Sequence, residues 1–133
     1  MSLIVDASVA VKWVADEPGS IDARALGNGD EQLIAPELVV AEVGNALWKK
    51  SRGGILSRAQ AAHGLRQLPL LFHHLYSDMT LSGRALEIAL DAGHAIYDCF
   101  YIALAQRENA PLITADERQL AAARKAKVKA RRL

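Results

Sequence analysis

The strongest constraint on the fold is a series of short apolar runs of β type set between helical stretches. Leu3-Ile4-Val5 is too short for a helix and fits a strand buried on both faces. Leu112-Ile113-Thr114 has the same character, and Gln32 to Ala35, Leu71 to Tyr76 and the region of Val128 predict three more strands. Helical patterns fill the gaps, at residues 7–15, 20–26, 36–50, 57–68, 82–92, 97–108 and 115–125. Pro18-Gly19, Gly27-Asn28-Gly29, Gly53-Gly54, Pro69, Gly93 and Asn109-Ala110-Pro111 punctuate them. Pro36 reads as the first residue of its helix, and Ser57 with Gln60 as a capping box. Apolar strands alternating with helices imply a parallel sheet covered on both sides. The expectation is a three-layer α/β/α domain, with a central parallel sheet of about five strands. It spans residues 1–133 as a single unit, and its first and fourth strands are neighbours.

Composition is needed only to bound this picture. Half of the chain is apolar (51%), enough for a real core. No apolar run reaches the roughly 18 residues of a membrane span, and the start MSLIVDASVA lacks the basic flank of a signal peptide. With the single Cys99, which has no internal disulfide partner, this gives the expectation of a cytoplasmic protein without membrane contact. The formal net charge is +1, but the charge is unevenly placed. From Arg118 onward there are seven basic residues and no acid, leaving nine basic residues against fifteen acidic ones before it. Lys125, Lys127, Lys129, Arg131 and Arg132 are therefore candidate contacts for a nucleic-acid backbone, with a solvated surface as the alternative.

Four acidic residues sit where they need explaining. Open α/β sheets place their sites beyond the carboxyl ends of the strands. Asp6 directly follows one apolar strand, and Asp116 follows another after one residue. Both are equally explicable as helix caps. Glu42 shares a helical stripe with Leu38, Val39 and Ala46, which aims a carboxylate towards the protein. Asp98 is the only charge between Ala95 and Leu104. A buried unpaired charge costs several kcal/mol or is neutralised, and a bound cation removes the problem. A salt bridge or a position at the edge of the core would do so for Glu42, and a capping role would account for Asp98. An oxygen-only set of carboxylates selects hard cations such as Mg²⁺ or Mn²⁺, which can activate water and neutralise charge on a phosphoryl group. Of the four histidines, His94 lies near Asp98 and is a candidate for substrate contact. Adjacent His73 and His74 point to opposite sides of a strand.

Four segments together resemble the successive motifs of PIN domains, in that family's order and approximate spacing. They are Val5-Asp6-Ala7-Ser8, the run Pro36 to Leu47 around Glu42, the run Tyr97 to Ala105 around Asp98, and Ile113-Thr114-Ala115-Asp116. The resemblance covers essentially the whole chain, as in the compact VapC toxins. It implies a toxin endoribonuclease that hydrolyses RNA phosphodiester bonds with Mg²⁺ or Mn²⁺, forms a homodimer and is inhibited by a cognate antitoxin protein. It further implies Asp6 and Asp98 as principal metal ligands, Glu42 as ligand or water-orienting group, and Asp116 acting directly or through water. Ser8 and Thr114 would set hydroxyls beside these carboxylates. Gln119 and Leu120 stand where some members carry a further acid, which leaves a second metal position open. A PIN fold that holds RNA or a protein without cutting is the alternative. A haloacid-dehalogenase site would need Asp at position 8, where Ser8 stands.

Overall fold

A computed structural model describes all of residues 1–133. Five strands form one parallel sheet: β1 (Ser2–Val5), β2 (Gln32–Pro36), β3 (His74–Tyr76), β4 (Leu112–Thr114) and β5 (Ala130–Arg132). Their spatial order is β3-β2-β1-β4-β5, with Ile4 opposite Leu112 and Val5 opposite Ile113. The first and fourth strands are thus neighbours, as the sequence predicts. Seven helices flank the sheet: α1 (Ala7–Val14), α2 (Ser20–Ala25), α3 (Leu38–Arg52), α4 (Arg58–Gln67), α5 (Ser82–Ala92), α6 (Ile96–Glu108) and α7 (Glu117–Lys125). Helices α1 to α4 pack on one another, and α6 packs against α5, α7 and the central strands. No single helix is long and apolar enough to cross a membrane.

The central strands β1 and β4 are buried because their apolar residues leave no polar face. Leu3, Ile4, Val5 and Leu112 have no exposed surface. Cys99 and the run Tyr101 to Ala105 bury nearly the whole circumference of α6, as an all-round apolar helix requires. On α3 the buried stripe is Val39, Val43 and Leu47. Leu38, Glu42 and Ala46 flank it, half-buried, so Glu42 stands at the edge of the core rather than within it. The capping box forms as expected, with Ser57 and Gln60 exchanging side-chain and backbone hydrogen bonds at the start of α4.

Three boundaries differ from expectation. Pro36 closes β2 opposite Tyr76 instead of opening a helix. A strand end tolerates proline, and the next residue, Glu37, donates its N–H to the Tyr76 carbonyl in its place. The third strand begins only at His74, because Leu68–Leu71 coil into a 3-10 turn around Pro69. His73 still ties this segment to β2: its N–H donates to Leu33 O, and its Nδ1 accepts the Leu33 N–H at 2.9 Å. The last strand starts after Val128, where Lys127 takes a left-handed conformation (φ 62°) and ends the α7 turn.

Candidate active site

The strand order reverses at the β1–β4 junction, since β2 and β3 build outward on one side and β5 on the other. A crevice beyond the carboxyl ends of such a pair is where open α/β sheets bind ligands. Asp6 lies there, buried to 4% exposure at the end of β1. Its Oδ1 accepts the Ser8 hydroxyl at 2.6 Å and the Val9 N–H at 3.3 Å, so it does cap α1. Ser8 also meets the Thr114 hydroxyl at 3.2 Å and accepts the Ala115 N–H at 2.9 Å. Residues more than a hundred positions apart are thereby latched across the junction. Burial pushes the Asp6 carboxyl up to about 7; the hydroxyls of Ser8 and Thr114 and the Val9 N–H pull it down, and the nearby charge of Asp98 adds to the rise.

Glu42 and Asp98 reach the same place from α3 and α6. Burial raises the Glu42 carboxyl, and the charges of Asp98 and Asp78 add to it, against a hydrogen bond from Tyr101. That bond runs from the phenol to Glu42 Oε1 at 2.6 Å. Tyr101 has only 1% of its surface exposed. Burial and the charges of Glu42, Asp6 and Asp98 all hold its proton on the oxygen, so it acts as a fixed donor among three acids. Asp98 occupies the first turn of α6 but does not cap it. Its Oδ2 instead meets His94 Nε2 at 2.6 Å. His94 thus touches an acid of the site. Fully buried Gln119 donates to the Asp98 carbonyl at 3.0 Å, and its Oε1 has no partner.

Asp116 follows β4, the strand beside β1. Its backbone N–H donates to the Thr114 hydroxyl, but its exposed side chain turns back to accept the Arg118 N–H and cap α7. The basic end of the chain is also divided. Lys125 and Lys127 line a pocket with Arg84 at the other end of α6 from Asp98. Lys129 is exposed, Arg131 forks onto Glu31, and Arg132 pairs with Glu117. Tyr101 was missed in the sequence, although the three-residue step from Asp98 puts these two residues on one side of α6. Asp78 was missed too. It caps α3 from the far side of β3 by accepting the Leu38 N–H at 3.1 Å.

A metal is tested by this donor set. No three Asp, Glu, His or Cys side chains stand close enough to hold one ion between them. Mg²⁺ does not require that, because it is commonly held by one or two carboxylates with waters and substrate phosphate oxygens. Oxygen-only donors, one of them a carboxyl raised chiefly by its burial, suit such an ion.

The model of the family described as "PIN domain" matches residues 3–125. The chain belongs to the PIN-domain family. This PIN domain is 37% identical to Ribonuclease VapC3 of Pyrobaculum aerophilum, over 91% of this chain and 93% of the relative. It is 34% identical to Ribonuclease VapC1 of Mycobacterium tuberculosis, over 82% and 89%. Among solved structures it resembles PAE2754 from Pyrobaculum aerophilum, with a TM-score of 0.73 and 28% identity, covering 92% of this PIN domain and 79% of the other chain.

Proposed function

We propose that this chain is a VapC-type toxin, an endoribonuclease that hydrolyses RNA phosphodiester bonds with Mg²⁺ or Mn²⁺. The observation that carries the reading is the trio Asp6, Glu42 and Asp98 at the β1–β4 junction, in a chain closely related to proteins named ribonucleases. Asp6 and Asp98 are the principal metal ligands, Glu42 orients water or adds a ligand, and Asp116 acts from the rim through water. When bound, the cation supplies charge to offset that of the phosphate under attack and to ease loss of a proton from water. Ser8 and Thr114 hold Asp6 in place, and Tyr101 holds Glu42. A shallow groove of about 300 Å³ along Leu38, Ala41, Glu42, Asn45 and Tyr97 leads to the acids, and its exposed tyrosine suits a strand with unstacked bases. A cognate antitoxin and a homodimer belong to the same reading. They rest on kinship with VapC proteins.

The test is cleavage of structured RNA by the purified protein, free of any antitoxin, in Mg²⁺ or Mn²⁺ with EDTA as control. Asp6→Asn and Asp98→Asn keep shape and capping ability but lose the anionic oxygen. Each is expected to abolish cleavage in a folded protein. Cleavage that survives both substitutions places the activity elsewhere. RNA binding without cleavage, across substrates and metals, favours a non-catalytic module.

A further inference from the structure

We propose that His94 and Tyr101 are positioning residues that each pin one oxygen of a site carboxylate, Asp98 Oδ2 and Glu42 Oε1, and so commit the other oxygen to the metal. The proposal rests on the metal-dependent reading above. Both contacts are 2.6 Å long, and each joins one carboxylate oxygen to a side chain able to donate to it. Neither Glu42 Oε2 nor Asp98 Oδ1 has a donor from the protein. Asp and Glu side chains are otherwise free to swing or to present both oxygens at once. A fixed donor on one oxygen settles which lone pairs face the site. Partners behind a ligand orient it in this way in metal sites generally.

Both donors are themselves held. Tyr101 is fully enclosed in α6, three residues after Asp98, so one helix carries an acid of the site and the clamp on a second acid. His94 sits in the tight connection between α5 and α6. Gly93 takes a left-handed conformation (φ 62°) there, and the His94 N–H donates back to Ala89 O at 3.2 Å. The imidazole is 12% exposed. It has no backbone or core partner among its hydrogen bonds except Asp98, so its side chain has no other polar task in the fold.

The experiment measures Mn²⁺ binding to the full chain by calorimetry, together with metal-free thermal unfolding and cleavage as a function of Mn²⁺ concentration. The variants are Tyr101→Phe, which removes only the hydroxyl, and His94→Ala. His94→Gln is the conservative control, since its amide nitrogen reaches about as far as Nε2. Tyr101→Phe and His94→Ala are expected to weaken Mn²⁺ binding about tenfold to a hundredfold, the range typical of lost supporting groups. Cleavage should return as Mn²⁺ is raised, and His94→Gln should recover most of the affinity. Affinities within about twofold of the parent for both variants overturn the proposal while leaving the metal reading intact, and so does a loss of metal-free stability with no change in affinity. A parent that binds no Mn²⁺ overturns both.

Discussion

Replacing Asp6 by Asn should make the metal-free protein more stable at neutral pH. Asp6 is 4% exposed, and its carboxyl is pushed up from an ordinary value near 3.8 to about 7, mainly by burial. Between these two values the folded state binds more protons than the unfolded chain. Stability is therefore lost as pH rises from about 4 to about 7, then levels off. A rise of this size corresponds to about 4 kcal/mol above pH 7, since each pH unit is worth about 1.4 kcal/mol. Asn carries no charge to desolvate, and its amide oxygen still accepts from Ser8 and Val9. Of the 4 kcal/mol, relaxation around the charged form recovers a part. An increase in Tm of about 10 °C at pH 8 in EDTA is expected, at about 3–5 °C per kcal/mol for a chain of this size. At pH 4, where Asp6 is already protonated, the two proteins should melt together. The difference between them isolates Asp6 from Glu17, whose carboxyl is lowered despite its burial because Lys12 and Lys50 both bind it and pull the pH dependence the other way. Calorimetric melts of both proteins at pH 4 and 8 decide the matter. An Asn variant no more stable than the parent at pH 8 refutes the argument that Asp6 is held against a desolvation penalty.

Three further outcomes follow from contacts described above. Ser8→Ala removes the latch between β1 and β4 and should cost about 1–3 kcal/mol of stability, read by denaturant titration. Gly64→Ala places a methyl carbon 3.2 Å from Val14 Cβ and 3.4 Å from Val14 O, so α4 must shift away from α1, at a cost of about 1–3 kcal/mol in the same assay. Reversing the charge of Lys125 and Lys127 should flatten the dependence of log RNA affinity on log salt by about two, if both touch phosphates. An unchanged slope returns them to the solvated surface.

What the sequence made legible was set by local chemistry. The buried strands around Ile4 and Ile113, the acids at their ends and the capping box at Ser57 are each written within a few residues. So was the oddity of Asp98 in an apolar helix. What stayed hidden depends on partners far apart in the chain. Pro36 belongs to a strand because Tyr76 lies beside it, and Asp78 is a helix cap because the turn after β3 brings it to Leu38. The role of Tyr101 depends on Glu42, fifty-nine residues away, which meets its hydroxyl only in the fold. Asp116 shows the converse: its cap to Arg118 is local and readable.

The pairing of β1 with β4 has a consequence for the order in which the site is assembled. Asp6 is made more than a hundred residues before the strand that completes its surroundings, Leu112–Thr114. Ser8 has neither its Thr114 contact nor its Ala115 donor until then. Contacts between the two ends of a chain form late in synthesis and late in folding. A growing chain that stops short of Leu112 holds three of the four acids and no finished pocket. The site at the β1–β4 junction is therefore completed only after Leu112–Thr114 has been made and has docked beside β1.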